Sequence, residues 1–160
     1  MTDTAKAKPR RSTLPAAPVR AEPPPRDGRS FAIDAARLLA DEKCTDVVCI
    51  DVRGLSQVTD YLVIGTGTSE RQMRAVLSHV EDMGGATGNA PFRSHSDDRS
   101  TWLLADCVDV VVHLFDPEAR SFYDLEMLWG DGPRVGWARP PGTVAPGRGR
   151  PAIPRENGKG

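Results

Sequence analysis

The stretch from Asp51 to Ala75 constrains this chain most. An apolar run, Tyr61 to Ile64, ends in Gly65-Thr66-Gly67, and a helical pattern opens at Ser69. Ser69 followed three residues later by Gln72 fits a capping box, in which two side chains satisfy free backbone N–H groups. Met73, Val76, Leu77, Val80 and Met83 then recur at helical spacing, so one face of this helix packs inward. Gly84-Gly85 supplies a left-handed residue to end it. A strand–turn–helix unit of this kind needs a sheet to pack against.

The rest of the chain supplies one. Ser30 caps a first helix carrying Phe31, Ala35, Leu38, Leu39 and Ala40, with Lys43 near its C-terminal end. Val47 to Ile50 is a short apolar run suited to a buried strand. Pro91 to Arg93 reads as a short edge strand. Trp102 to Ala105 and Asp109 to Phe115 are two further strands separated by a tight connection, hence an antiparallel hairpin. Asp116 caps a last helix, with Pro117 at its first position and Glu118 in its first turn. That helix carries Phe122, Leu125, Leu128 and Trp129 to Gly130. The expected fold class is α/β: one domain with a mixed sheet of about five strands and helices packed on it.

Charge marks the limits of that domain. Residues 1–30 hold seven Lys/Arg against three Asp/Glu, and residues 131–160 hold six against two. Residues 31–130 hold eight against seventeen, a net of −9. Six prolines fall in each end segment and two between them. Proline-rich, weakly apolar segments bury too little surface to offset chain entropy. The expected organisation is therefore a basic disordered tail over 1–29, a domain over 30–135 and a second basic disordered tail over 136–160. Trp137 falls in the second tail and is expected to be exposed, whereas Trp129 is read as core. No apolar run reaches the ~18 residues of a membrane span. The N-terminal segment lacks the apolar stretch of a secretory signal, and its prolines oppose the amphipathic helix of a transit peptide. A cytoplasmic protein with no membrane contact is expected. Cys44, Cys49 and Cys107 form no CxxC pair and read as buried, reduced thiols.

Several constellations invite chemistry. Gly65-Thr66-Gly67 before a helix suggests phosphate binding. However, the third glycine of GxGxxG would fall at Glu70, and the P-loop Gly-Lys-Ser/Thr is missing. A turn-and-cap role is the better reading. Asp51, Asp60, Asp106 and Asp109 lie at strand ends. They are solvated turn residues, ligands of a divalent metal for nucleotidyl or phosphoryl transfer, or contacts to a basic macromolecule. His113, among Val111, Val112 and Leu114, reads as a satisfied, half-buried histidine. His79 and His95 have no zinc-ligand spacing. Trp102 is either core or the rim anchor of an interface.

Taken together, Asp51 to Ser56, Thr59 to Tyr61, Thr66 to Ser69, Arg71-Gln72, Trp102, Asp106, Asp109 to His113, Tyr123 to Glu126 and Leu128 to Gly130 resemble the ribosomal silencing factor family, also called Iojap or RsfS. The resemblance covers about residues 31–135 and leaves out both tails. It implies a small α/β domain similar in fold to nucleotidyltransferases but without their activity, and no cofactor. It implies binding to the large ribosomal subunit through ribosomal protein L-fourteen, occlusion of the small subunit, and lowered translation under nutrient limitation. It also implies a homodimer in some members. One departure stands out: many members carry Glu-Gly where this chain has His95-Ser96.

The residues themselves and the resemblance agree on charge, since an acidic surface gains on-rate and orientation toward a basic ribosomal protein. Asp60, Asp106 and Asp109 are the candidate charged contacts, with Tyr61 and Trp102 as apolar ones. The basic tails read as solvated linkers, with non-specific attraction to rRNA phosphate as the alternative. The alternative is a metal-dependent nucleotidyl- or phosphotransferase using Asp51, Asp106 and Asp109. A weaker third possibility is an assembly scaffold whose tails recruit RNA.

Overall fold

The computed structural model describes residues 27–142. Helix α1 (Gly28–Asp41) is followed by β1 (Thr45–Asp51), β2 (Tyr61–Thr66), α2 (Glu70–Ala86), β3 (Arg93–Ser96), β4 (Trp102–Asp106), β5 (Val110–Phe115), α3 (Pro117–Tyr123) and α4 (Leu125–Leu128). The strands form one sheet in the order β1-β2-β5-β4-β3. Only β2 and β5 run parallel. The mixed five-stranded α/β domain expected from the sequence is the one observed.

Alternation along the strands gives the sheet two faces. One face carries Cys49, Val63, Leu103, Ala105, Val112 and Leu114, and α1 and α2 bury it with Phe31, Leu39, Met73, Val76 and Val80. The other carries Ile50, Leu62, Ile64 and Phe115, against which Ala119, Leu125 and Trp129 pack. Each fully buried Phe or Leu contributes about 1.5–3 kcal/mol relative to exposure. Trp129 joins this second cluster as expected, though it is only partly buried.

The helix ends depart from the expected ones in detail. The α1 cap is Asp27, whose carboxylate accepts from Arg29 N (3.3 Å), while Ser30 Oγ donates to it from inside the first turn. Ser69 Oγ does cap α2, accepting from Gln72 N at 3.1 Å. The Gln72 side chain, however, reaches back to Thr68 N (2.9 Å).

Gly84-Gly85 does not end α2, which runs on to Ala86. The left-handed residue is Gly88 (φ 77°). Gly84 serves a close approach instead. A Cβ there would lie 2.5 Å from the Asn89 carbonyl oxygen, whereas Gly85 faces open space. Gly84→Ala should therefore lower unfolding free energy by about 1–3 kcal/mol through overpacking. Gly85→Ala should raise it by up to ~1 kcal/mol through helix propensity. Urea unfolding of both variants checks this opposite pair of signs.

Four further expectations are corrected. The edge strand is Arg93–Ser96, beginning where the expected Pro91-to-Arg93 strand ends, because proline has no N–H to add to a ladder. The single last helix is two, broken at Asp124, whose φ of 44° is left-handed; aspartate tolerates that region better than most side chains. Trp137 is not exposed. It packs on the core, donating its indole N–H to the Val47 carbonyl (3.2 Å), while its own carbonyl accepts from Arg37 Nε (2.7 Å). Residues 132–139 accordingly lie along β1, with Asp51 N donating to Pro133 O, Val135 N to Cys49 O, and Arg139 forming a two-bond pair with Asp41. The segment expected to be tail from 136 therefore packs on the domain as far as Arg139, while residues 1–26 and 143–160 lie outside the described residues.

All three cysteines are buried free thiols. Burial raises each thiol pKa, to about 12 for Cys49 and about 11 for Cys107, so little thiolate exists to react. Among the described residues no helix is long and apolar enough to cross a membrane.

Candidate functional site

The sheet order gathers four of the acids singled out in the sequence. Asp51 ends β1, Asp60 precedes β2, Asp106 ends β4 and Asp109 precedes β5, all at one end of the sheet. The backbone N–H groups of Asp60 and Tyr61 both donate to the Asp109 carbonyl (2.9 and 3.0 Å), and Thr59 Oγ1 does so as well (3.0 Å). Two of the four carboxylates are engaged locally. Asp51 forms a close pair with Arg53 (2.7 Å), and the Arg53 side-chain hydrogen bond holds its pKa below the ordinary value. Asp106 accepts from Val108 N (3.0 Å) and faces Arg93 at 3.5 Å. Among the described residues no three His, Cys, Asp or Glu side chains gather as a metal site would require. The transferase alternative therefore finds no ligand set in Asp51, Asp106 and Asp109.

The two aromatic candidates do not join those acids as contacts. Tyr61 is 3% exposed, sealed under the Arg53 guanidinium, so it has little surface to offer a partner. Trp102 lies at the opposite end of β4 from Asp106, about 13 Å away at the rise of an extended strand.

Trp102 belongs to a different constellation, on the sheet face that α1 and α2 leave open. Its neighbours across the sheet are Phe115 and, on the diagonal, His113. The indole stacks on Phe115 (5.3 Å between centroids), on His113 (5.9 Å) and against Tyr123 of α3 (4.6 Å). Phe122 meets Tyr123 edge-on at 5.1 Å. Trp102 Nε1–H donates to His113 Nδ1 at 3.1 Å. Burial lowers the His113 pKa to about 4, against an opposing pull from Asp106. At neutral pH the ring is uncharged, and the Trp102 bond places its proton on Nε2.

Beyond the stack, α3 and α4 expose large apolar side chains. Phe122 and Met127 are each 81% exposed, and Leu128 is 69% exposed. Two grooves rich in acids border these helices. One, of about 600 Å³, is lined by Asp97, Asp98, Asp116 and Glu118, with Arg99 among them, beside Phe122 and Tyr123. The other, of about 660 Å³, is lined by Asp46, Asp124 and Glu126 with Arg120. Arg120 is itself neutralised by Glu126 (2.7 Å) and donates to Thr66 Oγ1 (2.9 Å), tying α3 to α4 and to β2. Exposed apolar side chains on helices bordered by acids suit a basic macromolecular partner.

Sequence reasoning missed Phe122, Tyr123, Met127 and Leu128 as surface. On one continuous helix, Phe122, Leu125 and Trp129 make a single inward stripe. The left-handed Asp124 breaks that phase and turns Phe122 and Leu128 outward. His95, at the departure from the family pattern, lies exposed on β3, in register with Leu104 and His113.

The family model described as "Ribosomal silencing factor during starvation" matches residues 25–157. The chain belongs to the ribosomal silencing factor family. The match extends past the 31–135 span that carries the motifs, and takes in the segment that lines β1. The ribosomal silencing factor RsfS of Bacillus subtilis is 37% identical over 99 residues, covering 62% of this chain and 84% of that protein. The mouse protein named "Mitochondrial assembly of ribosomal large subunit protein 1" is 35% identical over 116 residues, 69% of this chain and 51% of that longer protein. A crystal structure of a Chromobacterium violaceum protein superposes with a TM-score of 0.62 at 30% identity, covering 71% of this chain and 94% of that one.

Proposed function

We propose that this ribosomal silencing factor binds the large ribosomal subunit through ribosomal protein L-fourteen and blocks joining of the small subunit, lowering translation. The observation that carries the proposal is the set of exposed apolar side chains on α3 and α4, Phe122, Met127 and Leu128, with Phe122 edge-on to the Tyr123 of the Trp102 stack and beside a groove rich in acids. A solvent-facing apolar patch of this kind marks an interaction site. Its acidic margins favour the basic proteins of a ribosome, and the names of the silencing and large-subunit relatives point the same way. No proton transfer or nucleophile is required, because exclusion is steric.

On this proposal Trp102 supports the contact surface from beneath. Asp60, Asp106 and Asp109, at the far end of the sheet, add to the field that draws the two surfaces together. The basic segments at either end of the chain contribute non-specific attraction to rRNA phosphate.

Isolated large subunits should pellet with the protein in co-sedimentation. Binding should weaken as salt rises and the Debye length falls below about 10 Å. No co-sedimentation even at low salt would overturn the proposal. A pull-down on purified L-fourteen tests the finer assignment.

A further inference from the structure

We propose that His113 is a positioning residue for the docking surface, holding the Trp102 indole in the orientation on which Tyr123 and Phe122 rest. This deepens the proposed function and rests on it.

The placement of Trp102 gives a directional polar contact a role. It is the first residue of β4, next to the turn at 97–101, and its side chain is only partly buried. His113, two residues back along β5 from Phe115, supplies that contact. Its Nδ1 accepts the indole N–H, and its ring stacks with both Trp102 and Phe115, lying within 5° of parallel to Phe115. At 8% exposed, the imidazole is itself held by its surroundings. Burial keeps it uncharged, which leaves Nδ1 free to accept. Tyr123 then rests on Trp102, and Phe122 on Tyr123. One buried acceptor thus sets a chain of rings that ends at the surface. A phenylalanine at 113 would fill the same space without the acceptor; an asparagine places a carbonyl oxygen where Nδ1 stands.

Nuclear magnetic resonance of the full chain tests this. The Trp102 indole N–H signal is assigned by its loss in Trp102→Phe. In the unsubstituted protein, imidazole nitrogen shifts should show the His113 proton on Nε2; a proton on Nδ1 would overturn the proposal whether or not any variant folds. In His113→Phe the Trp102 indole signal should move and exchange faster with solvent, and large-subunit affinity should fall by about tenfold. His113→Asn should restore the signal and most of the affinity. An unmoved indole signal in His113→Phe would overturn the proposal. A moved signal with unchanged subunit affinity would overturn the link between His113 and docking. Failure of the docking proposal itself shows separately, as full subunit binding by a chain with Phe122 and Met127 replaced.

Discussion

Replacing Phe122 and Met127 together by serine should weaken binding to the large subunit by roughly 30- to 100-fold, the cost of removing a central apolar contact from an interface. The fold should hardly notice. Both side chains are 81% exposed, and surface substitutions away from special features change stability by about 0.5 kcal/mol or less each. The informative control is Val58→Ser. Val58, 84% exposed, lies in the β1–β2 connection, at the sheet end that carries Asp60 and Asp109. Its replacement should leave affinity within about twofold. Titration of large subunits with the three proteins, alongside urea unfolding, compares the two ends of the sheet directly. Should Val58→Ser do the greater damage, the docking surface lies at the aspartate end, as the sequence alone suggested.

Mild acid should destabilise this protein through His113. The His113 pKa is about 4 in the fold and about 6.5 in an unfolded chain. Between those values the unfolded state binds a proton that the folded state refuses, so stability falls as pH falls. The contribution is complete above pH ~6.5 and lost progressively toward pH ~4, about 3 kcal/mol in all. Urea midpoints measured from pH 7 to 4.5 should therefore slope downward. The His113→Asn variant, with no group titrating at that position, should show a much flatter profile. A parallel fall in both proteins would assign the acid sensitivity to other groups.

Both tests depend on features that differ in how far the sequence announces them. The β2–turn–α2 unit and the β4–β5 hairpin were legible because their signals are local. Ser69 caps the helix directly after it, and two apolar runs separated by three residues have few ways to pair. The edge strand, the extent of α2 and the α3–α4 break were not, because each turns on a backbone detail. Gly84 reads as a helix stop by residue type, yet its role is to admit the Asn89 carbonyl. The acidic sign of the domain was visible in its composition. The position of the acids was not, since the adjacency of β2 and β5 brings together residues some fifty positions apart. Trp102 was rightly singled out as ambiguous. What the sequence could not convey is that its partners are His113 and Tyr123 rather than Tyr61 and the aspartates.

The segment from Gly132 to Arg139 governs how the molecule behaves when shortened. It occupies the outer margin of β1, with Pro133 O and Val135 N serving backbone groups of Asp51 and Cys49. Trimming the chain back to residue 131 would bare those groups on a strand of seven residues. A naked margin of that length is a template for stray pairing with other chains. The shortened protein should polymerise on concentration, and light scattering would reveal it. What looks in the sequence like a dispensable trailer is what keeps one molecule from adding to the next.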